Sequence, residues 1–263
     1  MITVRDIEQF LYDWAPPDTA ESWDNVGLLV GRPDRPVRRV LVALDVTPAV
    51  AAEAAELGAD LIVAHHPVMN VRWHEREMQT LRDDTRLGGL LTCLVRQDLS
   101  VICMHTNLDA AEGGVNDVLA QKLGLEGLTP LTEEKIGRIG TLKCEMPLVE
   151  FTRFVIESLG CNGLRYTDCG KPVHRVAVGG GACGDYIPQA IAAGCDTFVT
   201  SDLRYHDFLD TTELHLIDAG HFPTEDVICE PLVAYLQRAF PTAIVMKTAA
   251  HDCETIQYCI KEK

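Results

Sequence analysis

A chain of 263 residues, 47% of them hydrophobic, has enough apolar material for one large domain or two small ones and needs no cofactor merely to fold. Its net charge of −16 argues against nucleic acid or anionic lipid as a non-specific partner, and no apolar run approaches the roughly 20 residues of a membrane span. The ten cysteines form no C-x-x-C pair and the first residues lack a signal-peptide pattern, so a reducing cytoplasm is expected, with the cysteines acting as buried small hydrophobes.

Thr3 and Asp6 predict a capped first helix with Ile7, Phe10, Leu11 and Trp14 on one face, ended by Ala15-Pro16-Pro17. In Trp23-Asp24-Asn25-Val26-Gly27, the Asp and Asn have turn chemistry and are expected to be structural. Arg32, Arg35, Arg38 and Arg39 read as a solvated basic loop. Residues 40–44 predict a buried strand, Thr47-Pro48 a helix start, and Gly58 the return to a second strand at residues 61–64, which together make a βαβ unit. That second strand ends in His65-His66-Pro67. Open α/β sheets place their ligands at strand carboxyl ends, and Pro67 helps to end the strand so that two adjacent imidazoles can face one crevice. Asp45, on the same edge, is a candidate supporting carboxylate.

After a polar loop with Trp73 and His74, a helix carrying Leu81, Leu90, Leu91 and Leu94 precedes a strand at residues 101–104. His105 and Asp109 follow on an expected loop at the same sheet edge, and a helix spans residues 115–123. Residues 124–172 read as a less regular connection, with a strand near 138–143 and a helix near 148–159. The first pattern then recurs. Val173-His174-Arg175-Val176 lies 136 residues after Val37-Arg38-Arg39-Val40, and at that displacement Gly58 matches Gly194, Asp60 matches Asp196 and residues 61–64 match 197–200. The expected fold class is therefore α/β, with two pseudo-repeated α/β halves, residues 1–125 and 126–263, in one continuous fold whose strand carboxyl ends share a cleft. The second half ends its equivalent strand in Ser201-Asp202, and its own metal-type residues come one strand later, as His221 and Glu225 beyond a strand at 215–218. Their spacing of four lets the side chains converge near a helix start, and Pro231 is expected to kink or shorten that helix.

His65, His66, Asp109, His221 and Glu225 suit two divalent ions roughly 3.5–4 Å apart better than one tetrahedral zinc. His105 reads as a further ligand, a supporting donor or a proton carrier. The donor set does not separate zinc from iron, manganese, nickel or cobalt. His74, His174 and His251 fall outside every strand-end motif.

In this order, Trp23-Asp24-Asn25-Val26-Gly27, Ala64-His65-His66-Pro67, His105-Thr106-Asn107-Leu108-Asp109, Gly137-Arg138-Ile139-Gly140, Gly179-Gly180-Gly181, Tyr205-His206 and Gly220-His221 with Glu225 resemble the GTP cyclohydrolase I type 2, or NGG-interacting-factor-three-like, family across nearly the whole chain. The resemblance implies a Nif3-like fold in its compact form and a toroidal homohexamer. It also implies two divalent metal ions per subunit held by His65, His66, Asp109, His221 and Glu225. The activity it implies is metal-dependent hydrolysis, either ring opening of GTP or attack on another small anionic substrate. Ser201 and Asp202 depart from the glycine and glutamate expected there. The competing class is a non-catalytic metal-binding scaffold or metal-handling protein.

Overall fold

A computed structural model describes residues 1–69 and 80–259, so Trp73 and His74 lie outside the described residues. The chain divides into two units, one comprising Met1–Ala111 and Cys229–Asp252, the other Glu112–Ile228 and Cys253–Lys263. The division thus falls after Ala111 rather than after residue 125, and a late segment returns to the first unit.

The first unit opens with α1 (Val4–Trp14). Thr3 Oγ1 accepts from the Asp6 N–H at 3.3 Å, the Thr3 N–H donates to Asp6 Oδ2 at 2.8 Å, and Val4, Ile7 and Leu11 are buried at helical spacing. The sheet contains β1 (Gly27–Val30), β2 (Arg39–Ala43), β3 (Leu61–Ala64), β4 (Ser100–Cys103) and β11 (Ile244–Lys247), in the order β1-β4-β3-β2-β11. Only β1 runs antiparallel to its neighbour. β3 and β4 are buried along their whole length, which is why they read as unbroken apolar runs. The connection from β2 to β3 is α2 (Pro48–Leu57), started by Thr47, whose hydroxyl accepts from the Val50 N–H, and ended by Gly58 at φ +62°. α3 (Arg86–Arg96) carries Leu90, Leu91 and Leu94 and leads to β4, whereas Leu81 precedes the helix and is exposed. Leu41, Ile62, Val101 and Leu94 centre the core. Of the four clustered arginines, Arg32, Arg38 and Arg39 are exposed as expected, and Arg35 is the exception. Arg35 is largely buried and pairs with Asp60 and Asp98, Arg32 also reaches Asp98, and Arg39 donates to the Leu57 carbonyl.

In the second unit the sheet order is β5-β6-β8-β9-β10-β7. Its strands are β5 (Glu126–Pro130), β6 (Arg138–Met146), β7 (Arg165–Tyr166), β8 (Val173–Val178), β9 (Thr197–Thr200) and β10 (His215–Asp218). β8, β9 and β10 run parallel, and the others join antiparallel. The less regular connection expected at residues 124–172 contains the expected strand and helix, β6 and α6 (Leu148–Leu159), and adds β5 and β7. α5 (Val115–Lys122) carries Asp117, which makes a buried two-point pair with Arg138 and accepts from the Gly113 N–H, so one carboxylate fastens a turn to the sheet. Phe151, Val155, Val176, Val199 and Ile217 belong to the core.

The internal repeat holds at the level of single hydrogen bonds. β8 leads through a 3-10 turn and α7 (Ile187–Ala192) to β9, matching β2, α2 and β3. Asp60 Oδ2 accepts from the N–H groups of Arg38 and Arg39 at 2.8 and 3.2 Å, and Asp196 Oδ2 accepts from His174 and Arg175 at 3.0 and 2.7 Å. Gly58 and its counterpart Gly194 both end their helices in the left-handed region, at φ +62° and +71°.

Candidate metal centre

β3 delivers the first donors. The N–H of His65 bonds to the Ala43 carbonyl at 3.2 Å and that of His66 to the Leu44 carbonyl at 2.9 Å. In a regular strand alternate N–H groups face a given neighbour, so two consecutive ones mark the end of the regular strand. The irregularity also releases the two side chains from strict alternation between faces. Their ring centroids are 5.0 Å apart, and His105 lies 5.2 Å from His65 and 5.6 Å from His66. One ring nitrogen from each of the three lies within 4.8 Å of the others, a spacing suited to metal ligands.

His105 caps α4 (Thr106–Ala110), a short helix where a loop was expected. Asp109 is one turn on, its N–H bonded to the His105 carbonyl at 3.1 Å, and its Oδ1 is 3.7 Å from His65 Nε2. The first unit thus brings four predicted residues together: His65, His66, His105 and Asp109.

Each ring has its Nδ1 committed. His65 Nδ1–H donates to the Met104 carbonyl at 2.8 Å, His66 Nδ1–H to Asp45 Oδ1 at 2.8 Å, and His105 Nδ1–H to Asp24 Oδ1 at 2.8 Å. A carbonyl or carboxylate partner fixes the neutral ring as the Nδ1–H tautomer, in which Nε2 carries the ligating lone pair. Asp24, read from the sequence as a turn residue, also accepts from the N–H and hydroxyl of Thr106, which joins the turn after α1 to α4. Burial opposes its charge, but the bonds from His105, Thr106 and Asn25 outweigh that and lower its pKa to about 2. His105 is shifted downward, chiefly by burial and with a contribution from the neighbouring imidazoles, against the pull of Asp24. Asp45 also accepts from His251 Nε2–H at 3.1 Å, so His251 is not the remote histidine its sequence context implied.

The second unit brings its two predicted residues together on α9 (His221–Glu225), with His221 Nε2 2.9 Å from Glu225 Oε2. Here too Nδ1 meets a carboxylate, Asp202 Oδ2 at 2.6 Å. Asp202 stands in the left-handed region at φ +55°, shortly before α8 (Tyr205–Asp210). Asp218, at the end of β10, accepts from the N–H groups of Leu203 and Gly220 and from Arg165, and so binds together the loops carrying Asp202 and His221. Burial pushes the His221 pKa down, but the Glu225 charge and the bonds to Asp202 and Glu225 raise it to about 11. Gly181, at φ +65°, is required by this geometry, because a Cβ there would lie 2.0 Å from Glu225 Oε1. Gly180 also lies against Glu225, where a Cβ would come within 3.2 Å of its Cγ, whereas Gly179 faces Cys183. The helix interruption expected at Pro231 falls earlier, at the 3-10 turn Asp226–Ile228. Pro231 itself sits in the first turn of α10 (Cys229–Ala239), where a missing N–H is tolerated.

Asp24, Asp202, Gly181 and His251 are the supporting residues that sequence reasoning did not assign. Asp24 and Gly181 lay within motifs already singled out. His251 carried no signal.

Among the described residues no helix is long and apolar enough to cross a membrane. A family model for Duf34/NIF3 (NGG1p interacting factor 3) matches residues 2–255. A Clostridium perfringens protein named "GTP cyclohydrolase 1 type 2 homolog" is 36% identical over 231 residues, covering 84% of this chain and 86% of that one. A Lactococcus lactis protein of the same name is 30% identical over 267 residues, covering 98% and 96%. The solved structure of the Staphylococcus aureus hypothetical protein SA1388 has a TM-score of 0.87 at 28% identity and covers 98% of this chain and 99% of its own.

Proposed function

Given that the chain belongs to the Duf34/NIF3 family and has its two-sheet α/β fold, we propose that it is a divalent-metal-dependent hydrolase. In this reading His65, His66, Asp109, His221 and Glu225 hold two ions, and His105 carries a proton. The observation that supports it most directly is the commitment of Nδ1 in His65, His66, His105 and His221 to a carbonyl or carboxylate, the arrangement that orients metal-binding imidazoles. The donor chemistry fits borderline divalent ions, with imidazole nitrogens and the carboxylates of Asp109 and Glu225 available to offset their charge. When bound, such ions supply Lewis acidity for hydrolysis.

The remaining chemistry belongs to the chain. Burial keeps His105 neutral at neutral pH, so its Nε2 can accept a proton. Asp24 holds the ring in the tautomer this needs and stabilises the imidazolium that results. The substrate class is a small anionic molecule, and the name of the relatives makes GTP the first to test. The same reading makes the chain a subunit of a homohexameric ring, to be checked by sedimentation. It also places the chain in the cytoplasm, where its ten thiols would stay reduced.

The test is metal content of protein purified without added metal, together with a turnover screen of the same sample against GTP and phosphoesters. About two ions per chain and turnover are expected, with metal lost in Asp109→Ala and Glu225→Ala and metal kept but turnover lost in His105→Gln. Full metal content in both carboxylate variants would overturn the ligand assignment. Metal loss in His105→Gln would make His105 a ligand. Full metal without turnover would favour the scaffold role.

A further inference from the structure

We propose that His251 is a positioning residue for the metal centre: it holds Asp45 in place so that Asp45 can fix the ring of His66. The inference rests on the metal-binding reading above. Asp45 divides its carboxylate between two imidazoles, with Oδ1 accepting from His66 Nδ1–H at 2.8 Å and Oδ2 from His251 Nε2–H at 3.1 Å.

The three orienting groups of the first unit are not equally secure. His65 is held by a main-chain carbonyl at the end of β4, which cannot rotate away. His105 is held by Asp24, whose side chain is fully buried and accepts four hydrogen bonds, from His105, Asn25 and twice from Thr106. Asp45 has neither form of restraint. Its side chain is 39% exposed, and the two imidazoles are the partners that fix its plane. A carboxylate on the surface with one bond turns readily and is solvated. A second bond on the opposite oxygen removes that freedom.

The chain holds His251 firmly from the other side. The Thr248 N–H bonds to the Val42 carbonyl at 2.8 Å, extending the pairing of β11 with β2. The Glu53 carboxylate of α2 then takes the Thr248 hydroxyl, the Ala249 N–H at 2.9 Å and the Ala250 N–H at 3.2 Å. Three donors on one carboxylate fasten residues 248–250 to the helix that begins just after Asp45, and His251 follows directly. This brings together two residues 206 positions apart in sequence.

The test is Co2+ binding by metal-free protein, measured by chelator competition and by the visible absorption of the bound ion, in wild type, His251→Phe and His251→Gln. Phe retains a ring and removes the donor, whereas Gln retains an N–H that can reach a carboxylate. His251→Phe should weaken binding by about 10- to 100-fold and alter the absorption spectrum, and His251→Gln should recover affinity to within a few-fold of wild type. Wild-type binding by His251→Phe, or equal impairment of both variants, would overturn the proposal. If wild type binds no Co2+, the metal-binding reading fails by itself. The positioning role is then read from the ring 15N shifts of His66 in the metal-free protein. Loss of the Nδ1–H tautomer in His251→Phe supports it, and an unchanged tautomer refutes it.

Discussion

Residues 37–64 and 173–200 share a backbone and differ in what they present beyond it. Each runs strand, helix, left-handed glycine and strand, and each pins its second strand with an aspartate that accepts two N–H groups from the start of the first. One step further the likeness ends. The first segment continues as His65-His66-Pro67, which supplies ring nitrogens, while the second continues as Ser201-Asp202-Leu203, which supplies a carboxylate to orient His221. A scaffold can therefore be kept to the level of single hydrogen bonds while the side chains at its strand end change from a pair of imidazoles to a carboxylate that orients another imidazole.

The largest difference is expected from truncating the two strand ends. His65→Ala should lose most of the bound metal and Ser201→Ala none, as measured by elemental analysis, and equal losses would mean the two ends are not distinct in role. Next in size is a difference in pH response in metal-free protein. The raised pKa of His221 means that its protonated form stabilises the fold; this contribution is fully present below about 6.5 and is lost as pH rises through about 11. The lowered pKa of His105 has the opposite sense, with stability lost as pH falls below 6.5. Urea midpoints of His221→Asn and His105→Gln across pH should converge on wild type at opposite ends of the range, and parallel profiles would contradict the assignment. Asp60→Ala and Asp196→Ala test the shared scaffold. Each should cost about 2 kcal/mol by urea unfolding for the two N–H groups it strands, with Asp60→Ala the larger because it also takes a partner from Arg35, and a larger loss in Asp196→Ala would show that the two N–H pairs are not energetically equivalent. The smallest effect is expected from Gly58→Ala and Gly194→Ala, about 1 kcal/mol each for a Cβ in the left-handed region. Gly58→Ala should be slightly the worse, because its Cβ would meet Arg39 Nη1 at 3.2 Å, whereas nothing lies within 4 Å at Gly194.

The sequence was most legible where local and global preferences agree. β2, α2 and β3 combine an apolar run, a Thr-Pro start and a glycine stop, and the repeat makes the same reading twice. β5 was hidden because Gly127 and Pro130 give it the look of a turn and most of it is exposed; β7 is two residues long; β11 is an edge strand with too little context to stand out. The candidate ligands were readable because each closes a strand or a helical turn. Their supports were not. Asp24 lies 81 residues from His105, and only folding brings them together. Asp45 was legible as a candidate because it shares a sheet edge with His66, but the bond from His251 to its other oxygen had no local signature.

The division of the chain also bears on the order in which the protein can be made. The first unit is left at Ala111 and completed by Cys229–Asp252, so its last strand, β11, and its last histidine are synthesised after nearly the whole of the second unit. At ribosomal rates of about 5–20 residues per second, the interval is on the order of ten seconds. During it, β2 has an open edge, and Glu53 and Asp45 await the segment that will occupy them. The nascent first unit therefore reaches its final state only after residues 112–228 of the second unit have been made, and the fastening of Asp45 is among the last native contacts it can form.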